Sequence, residues 1–185
     1  EYGLKMICEI SNSFNDEKKR LVGIQASVWE KHLFKAWPDF RVAELAELLS
    51  KESNISILII GAAGQEQLPE YLQKNHPNLP FINGIGKFAI KDLPDVVAAC
   101  DAVVSNDSGL MHLSAAVNTP TLAIYASTNH QITWSYSGNH KIIRRKGCIP
   151  SYHFGVTYDR QYNHCNCIRD ISARTVYEHL VDMLK

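Results

Sequence analysis

The chain has 185 residues, 45% of them apolar and 21% charged, which are values of a folded globular domain rather than a disordered chain. Its 19 basic and 19 acidic side chains cancel, so net charge gives no support for a nucleic-acid partner or an anionic membrane surface. The longest apolar run, ISILIIGAA, falls far short of the roughly 20 residues that span a bilayer, so no transmembrane segment is expected.

Residues 1–20 are polar and irregular, and NSFNDEKKR reads as a solvated linker. The chain opens on Glu1 rather than Met, as expected of a piece of a longer protein. LVGIQA (21–26) is a short apolar run and reads as a buried strand. Val42, Leu45, Ala46, Leu48 and Leu49 then recur at three and four residues, the stripe of an amphipathic helix. ISILIIG (55–61) is a β-branched run stopped by glycine, a second strand, followed by a helix over Glu66–Lys74 and a third strand, PFIN, at 80–83.

Asp92 to Cys100 reads as a helix with Pro94 in its first turn, the one place in a helix where proline is tolerated. AVVS (102–105) is a strand, Ser108 to Val117 a helix, TLAIY (121–125) a strand, and HKIIRR a sixth strand. The last helix begins at Ser172 as N-cap and carries Val176, Leu180, Met183 and Leu184 on one stripe. Short buried strands alternating with helices predict parallel strands joined by helical crossovers: a doubly wound, Rossmann-like α/β sheet. Residues 145–171, rich in aromatics, are too long for an ordinary connection and break the alternation.

In such a sheet, ligands bind beyond the carboxyl ends of the strands, where loops meet helix N-termini. Three of these turns carry polar groups. After the first strand come Ser27 and then Lys35 in KAWP; after the second, GAAGQEQ brings Gln65 and Glu66; after the fourth, NDSGLMH brings Asp107, Ser108, Gly109 and His112. Asp107 or Ser108 can cap the helix, and Gly109 leaves backbone N–H groups open to an anion such as a phosphate. His112 follows Ser108 by one turn and reaches the same side, and Lys35 adds a positive charge. Taken singly, each has a plainer reading: a cap, a surface histidine, a solvated lysine, a first-turn glutamate.

NGIGKF (83–88) and GAAG fit neither the Walker loop nor the dinucleotide fingerprint, which argues against a P-loop NTPase or a nicotinamide enzyme. The five cysteines, Cys8, Cys100, Cys148, Cys165 and Cys167, are odd in number and lack framework spacing, as in a reducing cytosol. Cys148, His153, His164, Cys165 and Cys167 share one loop. Cys165-Asn166-Cys167 lacks the gap of a structural zinc knuckle, so neither a metal nor a cofactor is expected.

VGIQAS, KAWP, LIIGAAGQEQ and DLPDVVAACDAVVSNDSGLMHLSAAVNTPTLAIYASTN, in that order, resemble the C-terminal domain of the ADP-heptose:lipopolysaccharide heptosyltransferases of glycosyltransferase family nine. The likeness runs from Leu21 to Lys185 and closes on CIRDISARTVYEHLVDML. It implies the C-terminal half of a GT-B fold, with residues 1–20 linking from an N-terminal domain and 21–185 binding the nucleotide-sugar donor. Lys35 would then contact the donor diphosphate, Ser108 and Gly109 would hold phosphate oxygens, Asp107 would face the sugar hydroxyls and His112 would support the same site. Glu66 or Gln65 would lie near the ribose. Ser27 stands where the family often has a hydroxyl, although Ala26-Ser27 replaces the usual Pro-Gly.

The resemblance further implies an inverting transfer of heptose from ADP-heptose to the lipopolysaccharide core. The general base would belong to the N-terminal domain, and the cytoplasmic enzyme would be peripheral at the inner face of the bacterial inner membrane. The loop 145–171 would face the other domain, giving Tyr152, Phe154, Tyr158 and Tyr162 a purpose. Two alternatives share the fold. One is a UDP-N-acetylglucosamine 2-epimerase-like isomerase, whose Gln-Glu-Glu is replaced here by His112, Leu113 and Ser114. The other is a non-catalytic nucleotide-binding module.

Overall fold

Short, nearly continuous apolar runs buried on both faces build the sheet. A computed structural model describes residues 19–25, 35–126, 128–133, 139–148, 152–153, 156–157 and 166–185. Strands β1 (Arg20–Gln25), β2 (Ile55–Ile60), β3 (Ile82–Asn83), β4 (Ala102–Asn106), β5 (Thr121–Tyr125) and β6 (His140–Arg144) form one sheet in the order β3-β2-β1-β4-β5-β6. Every pairing is parallel. Successive strand residues point to opposite faces. Val22, Ile24, Ile57, Ile59, Ala102, Val104, Leu122 and Ile124 therefore enter one core, while Leu58, Ile60 and Val103 enter a second on the other face.

Helices cover both faces. Helices α1 (Asp39–Leu49), α2 (Gln67–Asn75) and α6 (Ala173–Met183) supply Leu45, Leu72, Val176 and Leu180 to the first core. Helices α3 (Leu93–Ala98) and α4 (Gly109–Ala116) cover the second through Val96, Val97, Leu110 and Leu113. Packing over β1 is tight: a Cβ on Gly23 would come within 2.9 Å of Ile60 Cδ1 on the neighbouring β2 and 3.2 Å of Cys100 Sγ just after α3. Between β5 and β6 sits the short α5 (His130–Thr133), which the sequence pattern did not anticipate. Within 145–171, β7 (Tyr152–His153) and β8 (Val156–Thr157) pair antiparallel.

Several expected boundaries move for local reasons. Strand β1 begins at Arg20, because its N–H reaches the Asn54 carbonyl at 2.7 Å; one residue of the expected linker thus joins the sheet. Only Ile82–Asn83 of PFIN pairs, and Pro80 has no N–H to give a ladder. Residues Ile90–Asp92 form a 3-10 turn, so α3 starts at Leu93 and keeps Pro94 in its first turn, as expected. Helix α2 starts at Gln67, and Glu66 occupies its N-cap position without a side-chain cap. Ser172 caps α6, its Oγ accepting from Thr175 N. Residues 1–18, which contain nearly all of the expected linker, lie outside the described residues.

Strand order runs outward on both sides of the β1–β4 pair. Chain connections leave that pair in opposite directions and open a crevice at the strand ends, the position where open α/β sheets take their ligands. Gln25 and Asn106 end the two strands.

Candidate functional site

The crevice is built around the end of β4, where Ser105, Asn106 and Asp107 are all buried although all are polar. Buried polar groups must find partners, and each of these does. Asn106 Oδ1 accepts from Trp37 N at 2.9 Å, which fixes the segment after β1 against β4. Trp37 is itself buried, and its indole Nε1 donates to the Ile171 carbonyl at 3.0 Å just before α6. Two residues upstream, Lys35 Nζ stands 2.9 Å from Asp107 Oδ2. Asp107 is only 6% exposed and Lys35 only 16%, so this ion pair is largely shielded from water.

Helix α4 opens directly above. Ser108, not Asp107, is the N-cap: its Oγ accepts from Leu110 N at 3.3 Å. The same hydroxyl donates to Gln25 Oε1 at 2.8 Å, and that oxygen also accepts from Ser105 Oγ at 2.8 Å and Asn106 N at 3.1 Å. A Cβ added to Gly109 would meet nothing within 4 Å, so packing does not require glycine there and the helix N-terminus is open to approach. The aligned peptide dipoles of the helix favour an anion at this end.

Tyr125, at the end of β5, closes the floor. Its phenol oxygen lies 3.1 Å from Met111 Sδ and 3.2 Å from the Thr133 carbonyl. Burial pushes its ionisation up to about 12, and the neighbouring Asp107 carboxylate adds to that rise. The phenol therefore stays neutral and leaves Lys35 as the charge partner of Asp107.

The structure thus brings together Lys35, Asp107, Ser108 and Gly109 from the residues singled out in the sequence. His112 is exposed on α4, one turn behind Ser108. Glu66 belongs to the turn after β2, the strand next to β1; its Oε1 accepts from Gly64 N at 3.0 Å, while Gln65 Oε1 accepts from Ala62 N at 3.0 Å. The Gly64 N–H draws the Glu66 carboxyl below its ordinary value. Both side chains fold back on the glycine-rich turn. Ser27 lies outside the described residues. Sequence reading missed Gln25 and Asn106 as site residues; a polar residue closing each of two apolar strand runs was the available signal.

Cys148 and Cys167 are buried thiols, Cys148 Sγ donating to the Ala126 carbonyl at 3.4 Å. Among the described residues, no three His, Cys, Asp or Glu side chains are grouped to hold a metal. His164, Cys165 and the aromatic side chains of that loop fall outside the described residues. Among the described residues, no helix is long and apolar enough to cross a membrane.

The family model of glycosyltransferase family 9 (heptosyltransferase) matches residues 8–159. The chain belongs to this family. Among its relatives, lipooligosaccharide heptosyltransferase 2 of Haemophilus influenzae is 34% identical over 154 residues, 81% of this chain and 43% of that protein. Lipopolysaccharide heptosyltransferase 2 of Escherichia coli is 32% identical over 152 residues, again 81% of this chain and 43% of that protein. The solved E. coli ADP-heptose lipopolysaccharide heptosyltransferase II superimposes with a TM-score of 0.75 at 26% identity, covering 96% of this chain and 50% of that one.

The chain therefore spans about half the length of the relatives it matches, and its fold is that of one half of the GT-B heptosyltransferases. The family match starts at residue 8, within the stretch read as linker. These likenesses favour the transferase over the epimerase alternative.

Proposed function

We propose that this chain is the donor-binding half of an inverting heptosyltransferase, holding ADP-heptose for transfer to the lipopolysaccharide inner core. The observation that carries the reading is the Lys35–Asp107 ion pair, drawn from positions 72 apart to the open N-terminus of α4 at the β1–β4 crevice. Its family supplies the substrate class.

In the reaction, an acceptor hydroxyl attacks the anomeric carbon as the bond to the diphosphate oxygen breaks. Negative charge grows on the leaving diphosphate. Lys35 and the backbone N–H groups at Gly109 stabilise that charge, and such preorganised stabilisation acts on the transition state more than on the ground state. Asp107 holds Lys35 forward while turning a carboxylate to the sugar hydroxyls. His112 supports the phosphates from one turn behind, and Glu66 or Gln65 reaches the ribose by unfolding from its turn. Ser27, in the stretch between β1 and Lys35, joins the donor contacts as the family likeness implies.

The base that takes the acceptor proton, and the acceptor surface, belong to an N-terminal domain to which residues 1–20 lead; residues 21–185 bind the donor. The enzyme works on the cytoplasmic side, peripheral to the inner membrane where its acceptor is assembled. Calorimetric titration of the chain with ADP, UDP and ADP-heptose tests the reading. ADP should bind more tightly than UDP, and ADP-heptose at least as well as ADP. Tighter binding of UDP would overturn the donor assignment, and heptosyl transfer by the 185-residue chain alone would overturn the placement of the base.

A further inference from the structure

Gln25 stands at the centre of the crevice without any role assigned above. The β1–β4 register, which pairs Ile24 with Val104, sets Gln25 beside Ser105. One oxygen of its amide lies within hydrogen-bond reach of Ser105 Oγ and Ser108 Oγ, both at 2.8 Å, and of Asn106 N at 3.1 Å, while the single Ser105 proton is shared with the Asn106 carbonyl at 2.9 Å. An amide oxygen has two lone pairs, so three short approaches to it mark a highly engaged acceptor.

A hydroxyl carries one proton. With the Ser108 proton directed at Gln25, the lone pairs of that hydroxyl are left for Leu110 N, which it caps at 3.3 Å. A proton pointing back into the strand is not pointing out at a ligand. We infer that Gln25 is a positioning residue of the diphosphate site: by holding the Ser108 hydroxyl and the Asn106 amide from β1, it fixes the turn that carries the backbone N–H groups at Gly109. The inference rests on the donor-site reading above, and deepens it.

Gln25→Met keeps the length of the side chain and removes the acceptor. Calorimetry with ADP, inorganic pyrophosphate and adenosine is carried out on the parent chain, Gln25→Met, Ser108→Ala and the double variant. In Gln25→Met, ADP and pyrophosphate should each bind about tenfold more weakly, the scale of one hydrogen bond to a charged group, with adenosine unchanged. Because Gln25 and Ser108 hold the same turn, the loss in the double variant should fall short of the product of the two single losses.

Equal losses for adenosine and ADP, or losses that multiply in the double variant, would reduce Gln25 to general packing and overturn the inference. If Gln25→Met does not fold, Gln25→Glu keeps the acceptor oxygen; it should melt with the parent yet lose pyrophosphate about tenfold through added negative charge, a loss that high salt diminishes. Unchanged pyrophosphate binding in that variant also overturns the inference. A parent chain that binds pyrophosphate but not ADP overturns the donor reading and leaves Gln25 to be judged on pyrophosphate. A parent that binds neither overturns both.

Discussion

Replacing Lys35 with Met removes one partner of an ion pair whose other partner is 6% exposed. At 2.9 Å and an effective dielectric constant of about 20, the gross attraction is about 6 kcal/mol, most of it offset by the cost of taking both groups out of water. The variant keeps the desolvation of Asp107 and loses the attraction, so it should unfold about 3 kcal/mol more easily, the lower end for a buried pair, because Lys35 keeps some contact with water. For a chain of this size that is a fall of roughly 6–12 °C in Tm. Asp107→Asn should cost less, about 1–2 kcal/mol, because the lysine left behind can turn to solvent. The double variant buries no unpaired charge and should recover about 1–3 kcal/mol relative to the sum of the two singles. Guanidinium unfolding followed by circular dichroism measures all four chains. If the singles add to within about 0.5 kcal/mol, the two side chains do not act on one another and the site's central contact is wrong. A second arm repeats the melts with saturating ADP: the parent should gain about 2.7 kcal/mol at a hundredfold excess over Kd, and Lys35→Met should gain far less.

Three further outcomes follow from other parts of the fold. Gly109→Ala has open space for its Cβ and should leave Tm within the spread of a neutral surface change, while weakening ADP measurably in titration because the methyl group stands where the anion approaches. Gly23→Ala forces a Cβ to 2.9 Å from Ile60 and should cost about 1–3 kcal/mol in chemical unfolding; an unchanged midpoint would mean that Ile60 and Cys100 do not pack on Gly23 as described. Burial pushes the Cys100 thiol up to about 12, against about 8.5 in an unfolded chain. Above that lower value the unfolded chain releases a proton that the folded chain retains, so stability falls as pH rises toward 12. Cys100→Ala should flatten that part of the pH–stability curve, and an unaltered slope would contradict the burial.

Much of the sheet was legible because its strands are buried on both faces and read as continuous apolar runs. ISILII and AVVS needed no tertiary information to be recognised. Strand β3 was overextended because Phe81, which packs on the core, looks the same in sequence as a paired strand residue, while the proline before it cannot pair. Helix α5, with four residues and no buried side chain, has no periodicity to reveal it. Of the site, the NDSG turn announced itself through the polarity of residues between a strand and a helix. Lys35 was legible as a charge in the turn after the first strand, and as a diphosphate contact by family likeness, but nothing within KAWP shows that Asn106 will hold Trp37 and thereby present the lysine to Asp107. Gln25 stayed hidden because its partners lie about eighty residues away, beyond any local pattern.

That separation has a consequence for how the molecule comes into being. Strands β1 and β4 cannot pair until the whole β2–α3 excursion has been closed between them, and such distant closures are the slow, entropically costly events of folding. The tether from Trp37 to Ile171 spans 134 positions and reaches almost to the last helix. A chain interrupted before Asn106 during synthesis would hold hydrophobic strands and helices but no Lys35–Asp107 pair and no anchored turn. The crevice is therefore the seam at which the β1–β2–β3 and β4–β5–β6 halves of the sheet are joined. A nucleotide that recognised only the finished seam would draw the folding equilibrium toward completion, so binding there would reward the fold as well as fill the site.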